Sequence, residues 1–259
     1  MILRERQQRI VGVLRAGGAA SVRDLARSLH VSESTIRRDL EFLDRNGELT
    51  RTYGGAVLGP GETVTERGEP PRLEGPYDDR AGLELKQRVA ARAAELVQDD
   101  SVVLLDIGTT TPLVARHLRG RPVTVLTSNL AVLDELRDDS AVRLVMLGGV
   151  LRRNYRSFVG SLTEAALDQV SADLLFLSCT GVRPSGHVMD NMAVEAPIKQ
   201  SMIKAADRVV LLATAAKFPG TGALRLCALS AVDHLVTTSG ANENTLDRCR
   251  HAGGQVIIA

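Results

Sequence analysis

Between positions 31 and 45 the chain sets apolar residues to a helical beat. Ile36, Leu40 and Leu43 fall at i, i+4 and i+7, so they share one face of a helix that Ser32 is placed to cap. At about 100° per residue, Ser34, Arg38 and Arg45 lie opposite that stripe, with Thr35 and Arg37 on its shoulders. Two amphipathic patterns precede it. The first spans 3–15, turns Ile10, Val11 and Leu14 inward and stops at Gly17 and Gly18. The second opens at Ser21, has Asp24 as a short capping-box acid, and turns Val22, Leu25, Ala26 and Leu29 inward. Residues 29–31 then form the turn between helices two and three. Beyond the third helix Asn46 and Gly47 supply a C-cap, and positions 49–56 alternate as a small hairpin carrying Arg51 and Tyr53.

The pattern breaks over 58–80, where Gly59-Pro60-Gly61, Pro70-Pro71 and Gly75-Pro76 replace apolar periodicity; this predicts a partly stiff linker. From 81 onward helical and strand patterns alternate, the mark of an α/β domain with a largely parallel sheet. Strands are predicted at 102–106, 123–127, 142–147, 174–178, 209–213, 235–237 and 256–258. Helices are predicted at 83–97, from near Pro112, and at 130–136, 193–206 and 243–250. The domain plan is therefore 1–57, a linker over 58–80, and 81–259.

Charge sharpens this plan. The whole chain of 259 residues has a formal net charge of only +1, but residues 1–57 hold ten arginines against seven acids. The positive excess is local, as expected of a modest basic surface on one small domain. Taken one at a time these arginines also fit a solvated helix face; a tight helix-turn-helix, a basic outer surface and a Gly-Gly wing together favour double-stranded DNA. Cys179, Cys227 and Cys249 stand far apart with neither zinc nor disulfide spacing, so no metal site is expected. The N-terminus lacks the apolar core of a signal peptide, and no stretch approaches the roughly 20 apolar residues a membrane span needs. These features predict a reduced, cytoplasmic protein with no membrane contact.

In the second domain the chemistry gathers where strands end. Asp106-Ile107-Gly108-Thr109-Thr110-Thr111-Pro112 runs from a strand through a tight turn into a helix, where backbone N–H groups, hydroxyls and the helix dipole suit a phosphate. Simple helix capping explains the threonines about as well. No Walker-type lysine follows, which argues against a nucleoside triphosphate. Thr127-Ser128-Asn129, Gly148-Gly149, Thr180-Gly181 and the stretch from Ala213 to Lys217 follow other strands; in an open α/β sheet all would converge on one edge.

The stretches Thr35-Ile36-Arg37-Arg38-Asp39-Leu40 and Tyr53-Gly54-Gly55-Ala56 resemble the signature segments of the N-terminal domain of DeoR-type transcriptional regulators. The order of the later motifs, including Val194-Glu195-Ala196 with Lys199 one turn on, resembles the effector domain of the same family. The resemblance implies an α+β winged helix-turn-helix followed by an α/β effector domain with a ribose-5-phosphate-isomerase-like fold. It implies DNA contacts from Arg37 and Arg38, seconded by Ser34, Thr35, Arg45, Arg51 and Tyr53. It also implies an effector pocket lined by Asp106, Gly108, Thr109, Thr110, Thr127, Ser128, Asn129, Gly148, Gly149, Gly181, Glu195 and Lys217. In that pocket the 108–110 loop would hold phosphate, Lys217 would add charge, and Asp106 or Glu195 would read sugar hydroxyls. Arg152, Arg153 and Arg156 are either extra anion contacts or a solvated loop.

Two departures from the family pattern stand out: Thr214-Ala215-Ala216-Lys217 replaces Asp-Ser-Ser-Lys, and Thr238 replaces an acid. With fewer carboxylates to move a proton, catalysis becomes the weaker reading. The expected function is a non-enzymatic, cofactor-free repressor of carbohydrate-metabolism genes. It would sense a phosphorylated sugar or sugar-derived metabolite and bind its operator as a homo-oligomer, dimer or tetramer. The alternative is a sugar-phosphate isomerase-like enzyme with a DNA-binding appendage.

Overall fold

The computed structural model describes residues 6–7, 9–11, 13–14, 19–29, 31–45, 49–52, 55–57, 82–153 and 155–259. The expected stop at Gly17-Gly18, the cap at Asn46-Gly47, Tyr53 and the 58–80 linker lie outside them. Two compact units result, Met1–Pro71 and Arg72–Ala259.

In the first unit the described residues between 6 and 14 are helical, followed by β1 (Ala19–Ser21), α1 (Val22–Leu29), α2 (Glu33–Arg45), β2 (Thr50–Thr52) and β3 (Gly55–Val57). Ile10, Leu14, Leu25, Ile36 and Leu40 are wholly buried together, so the inward residues of the three amphipathic patterns do meet in one core. Burying a side chain of this size stabilises by roughly 1.5–3 kcal/mol. β3 lies between β1 and β2, antiparallel to both. β1 was not expected, because Ala19-Ala20-Ser21 is too short to alternate. Its order comes from pairing with Val57, Ala56 and Gly55, far along the chain.

The second unit is built on a seven-stranded parallel sheet in the order β15-β14-β12-β9-β4-β5-β6. Its strands are β4 (Val102–Leu105), β5 (Thr124–Thr127), β6 (Arg143–Met146), β9 (Ala172–Ser178), β12 (Ala206–Leu212), β14 (His234–Thr237) and β15 (Gln255–Ile258). On one face Val103, Leu105, Phe176 and Val210 pack under α3 (Leu83–Ala94), α4 (Thr111–Leu118) and α5 (Leu130–Leu136). The opposite face packs Leu104, Leu175, Leu177 and Leu211 against residues of α6 (Ser161–Leu167), α7 (Ala196–Lys204) and α8 (Glu243–His251). Because both faces are covered, β9 reads as the unbroken run Leu174-Leu175-Phe176-Leu177, all at 0–1% exposure.

Three pieces were not anticipated: the hairpin β7 (Val150–Arg152) and β8 (Ser157–Val159), the helix α6, and an antiparallel sheet of β10 (Gly181–Val182), β11 (His187–Asp190) and β13 (Leu224–Ala228). The expected 193–206 helix is shorter, since residues before Ala196 form turns and β12 begins directly after the helix.

The strand order fixes where a ligand can enter. From β4 the chain steps outward through β5 to β6, whereas from β9 it steps the opposite way through β12, β14 and β15. β4 and β9 are paired neighbours. At such a switch point the general rule for open α/β sheets expects a ligand crevice outside the carboxyl ends of the two strands.

Candidate functional site

On α2 of the first unit, Ser32 Oγ accepts the Thr35 N–H at 3.2 Å, an N-cap that fixes where the helix begins. Asp39, 4% exposed, receives a two-pronged bond from Arg6, which ties the N-terminal helical stretch to α2. With that side of the helix held, Ser34, Arg37 and Arg38 are exposed and Thr35 is half-buried. Arg37 reaches Glu33 one turn back at 2.9 Å; an exposed helix pair of this kind is worth only about 0.3–0.5 kcal/mol and yields readily to a phosphate or base. Arg38 has no ion pair among the described residues. Arg45 and Arg51 lie on α2 and β2, with side chains outside the description, as is the whole of Tyr53.

In the second unit the 106–111 segment leaves β4 and starts α4. Asp106 is fully buried, and both its oxygens are engaged: Oδ1 accepts the Gly108 N–H at 2.8 Å, and Oδ2 accepts the N–H and hydroxyl of Ser178, each at 2.7 Å. Its carboxylate therefore joins the loops after β4 and β9. A Cβ on Gly108 would lie 2.0 Å from Ser178 Oγ, so this junction requires glycine.

The threonine run divides its work. Thr111 Oγ1 donates to the carbonyls of Asp106 at 2.7 Å and Gly108 at 3.0 Å. Thr110 occupies the N-cap position of α4 but makes no side-chain cap bond, and Thr109 is half-buried. Asn129, between β5 and α5, braces the same loop. Its Nδ2 reaches the Gly108 carbonyl at 3.2 Å while its Oδ1 caps α5 through the Ala131 N–H. Thr127 Oγ1 donates to the Leu105 carbonyl at 2.8 Å, and Ser128 is wholly buried.

Around Asp106 gathers a buried ionic cluster that sequence reasoning did not assemble. Lys199, 3% exposed, stands 2.7 Å from Asp190 and 3.6 Å from Asp106, and also donates to Ser178. Burial alone would lower the Lys199 pKa, but Asp190, Asp106 and Glu195 together raise it well above the ordinary lysine value. Asp190 opposes burial in turn, held below the usual carboxylate range by Lys199 and the N–H groups of Met192 and Asn191. Glu195, at the head of α7, pairs with the buried Arg152; burial outweighs the pull of Lys199 and Arg152 and lifts it to about 7. Lys217, half-buried in the turn after β12, acts on the Cys179 thiol, as do Lys199, Asp190 and Asp106. Burial nonetheless drives that thiol to about 12, so it stays protonated.

The remaining residues are placed as follows. Gly148 is exposed after β6 and its carbonyl accepts Thr163 Oγ1 at 2.8 Å. Gly149 and Gly181 have close-packing roles, since a Cβ would meet Thr163 Oγ1 at 2.1 Å and Gly220 Cα at 2.4 Å. Thr238, standing in place of an acid, accepts the Ala215 N–H at 2.9 Å and holds the turn that carries Lys217. Asp190, Ser178 and the buried role of Lys199 were missed. For Lys199 a signal existed: it falls three residues after Ala196 and three before Met202, on the inward face of α7.

Family models match both units, the DeoR-like helix-turn-helix domain over residues 6–59 and the DeoR C-terminal sensor domain over 82–239. The chain belongs to the DeoR family. A candidate aga operon transcriptional repressor of Escherichia coli O157:H7 is 32% identical over 98% of this chain and 93% of its own. An L-fucose operon activator of Escherichia coli K12 is 30% identical over 90% of this chain and 93% of its own. A solved ribose 5-phosphate isomerase A of Methanocaldococcus jannaschii matches at 18% identity over 50% of this chain and 52% of its own, with a TM-score of 0.37. The two operon regulators match over nine-tenths or more of their own length, and this DeoR chain is a DNA-binding transcriptional regulator. Among its described residues no helix is long and apolar enough to cross a membrane.

Proposed function

We propose that the regulator represses carbohydrate genes by binding operator DNA through α2. Its second unit would sense a phosphorylated sugar or sugar-derived metabolite in the crevice between β4 and β9. The observation that carries this reading is the 106–111 loop, opening α4 at the β4/β9 switch point. N–H groups at a helix start suit a phosphate, and Lys217 adds positive charge nearby. The buried cluster of Asp106, Ser178, Asp190 and Lys199 holds the loops after β4 and β9 in register for that ligand. Relatives named for the aga and L-fucose operons support a carbohydrate effector. Residues 58–80 act as a tether, and two copies present paired recognition helices to half-sites about 34–36 Å apart or a multiple of that.

The test is fluorescence anisotropy of the chain's own upstream duplex against random duplex at fixed salt. Arg37→Ala and Arg38→Ala should each weaken specific binding, by about 1–3 kcal/mol where the arginine forms a two-pronged contact with guanine. Undiminished affinity for the native duplex in both variants would remove them from the interface. Calorimetric titration of sugar phosphates into the native protein and Lys217→Ala tests the pocket, and equal affinities would exclude Lys217.

A further inference from the structure

The hairpin β7–β8 is pinned to the segment that follows β5. Across the hairpin Arg152 pairs with Ser157. On the other edge of β8, Ser157 bridges Asn129, flanked by hydrogen bonds from Leu130 N to the Arg156 carbonyl (2.7 Å) and from Phe158 N to the Ser128 carbonyl (2.8 Å). Directly opposed residues of antiparallel strands share a face. Arg152, Ser157 and Asn129 therefore stand in a row.

Both ends of this row reach the candidate site. Asn129 touches the carbonyls of Asp106 and Gly108 through its side-chain amide. Arg152, 4% exposed, pairs with Glu195 and stacks 4.1 Å from the centre of the Tyr155 ring. Between them Ser157 is wholly buried, yet among the described residues its hydroxyl has no hydrogen-bond partner. Native interiors rarely leave a buried hydroxyl in this condition, because the group has lost water and gained nothing. It stands between Arg152 and Asn129, whose amide braces the 106–111 loop.

We infer that Ser157 and Arg152 contact the effector, the hydroxyl donating a hydrogen bond to an anionic or hydroxyl oxygen of a ligand lodged between the 107–111 loop and Glu195, and the guanidinium supplying the facing charge. The inference rests on the sugar-phosphate reading of the crevice and extends it to two residues on an element outside the main sheet. Ligand binding would then pull on the hairpin as well as on the loop.

The test uses the full-length protein and calorimetric titration with ribose 5-phosphate, glucose 6-phosphate, fructose 1-phosphate, glycerol 3-phosphate and inorganic phosphate. The tightest binder is then titrated into Ser157→Ala and the near-isosteric, poorly donating Ser157→Cys, with thermal unfolding measured in parallel. We expect affinity to fall about tenfold in both variants, the loss of one hydrogen bond to a charged acceptor. The ligand-free unfolding midpoint should be unchanged or raised, since an unsatisfied group has been removed. A lowered midpoint with unchanged affinity would make the hydroxyl structural and overturn the inference. Unchanged affinity alone would overturn it too, while leaving the crevice reading intact. A native protein that binds none of the five compounds would overturn the sugar-phosphate reading, and this inference with it.

Discussion

Replacing Gly108 with alanine drives a methyl group into Ser178. The added Cβ would lie 2.0 Å from the Ser178 hydroxyl and 2.4 Å from its Cβ, in a place where the same hydroxyl donates to Asp106 at 2.7 Å. Neither side can yield cheaply, because Asp106 also holds the N–H groups of Gly108 and Ser178. Overpacking of this kind costs about 1–3 kcal/mol, and the closeness of the contact puts it near the upper end. Ser178→Gly on its own loses a bond to a charged acceptor, about 1.5–3 kcal/mol. In the double variant the clash is gone, so the combined loss should approach that of Ser178→Gly alone, a coupling of about 2–3 kcal/mol. For a unit of this size each kcal/mol moves the midpoint by roughly 2–4 °C. Gly108→Ala should therefore lower the circular-dichroism melt by about 4–12 °C, and adding Ser178→Gly should lower it little further. Additive losses would refute the claim that these two residues form the junction.

Other outcomes follow from the buried charges. Lys199→Met leaves Asp190 and Asp106 without their shared cation and should cost about 3–5 kcal/mol; adding Asp190→Asn should recover part of that, and a Lys199→Met melt equal to native would contradict the cluster. Glu195, ordinarily near 4.5, titrates near 7 in the fold because burial disfavours its charge, so the native state holds a proton that the unfolded chain has released between those values. Stability should therefore rise as pH falls from about 8 toward 5, and Glu195→Gln should flatten that slope, as urea midpoints across the range will show. If Arg38 meets a phosphate and not a base, Arg38→Ala should reduce the salt slope of DNA affinity by about 0.9 without changing sequence preference.

The physical reach of sequence reading shows in particular residues. Ile36, Leu40 and Leu43 announced a helix because their spacing is local, and the runs 102–106 and 174–178 announced strands because a sheet covered on both faces tolerates no polar interruption. The convergence of the Asp106, Asn129 and Lys217 segments followed from parallel topology alone. Asp190 was invisible: its strand pairs with two-residue β10 on one side and with β13, over thirty positions on, at the other, and no periodicity encodes such pairing. Arg152 read as a loop residue because the hairpin beneath it is three residues a side; its burial depends on Glu195, forty-three positions away. Whether a charged side chain is solvated or enclosed is decided by elements that arrive from elsewhere in the chain.

We propose that effector binding at the β4/β9 switch point and operator binding by α2 are energetically linked. The most direct measurement is the affinity of the full-length protein for its tightest-binding sugar phosphate, taken with and without saturating operator duplex at one salt concentration. Linkage requires operator to change effector affinity by the same factor as effector changes operator affinity, expected at about 5- to 150-fold. Equal effector affinity in the two conditions would mean that the sensor unit does not govern DNA binding.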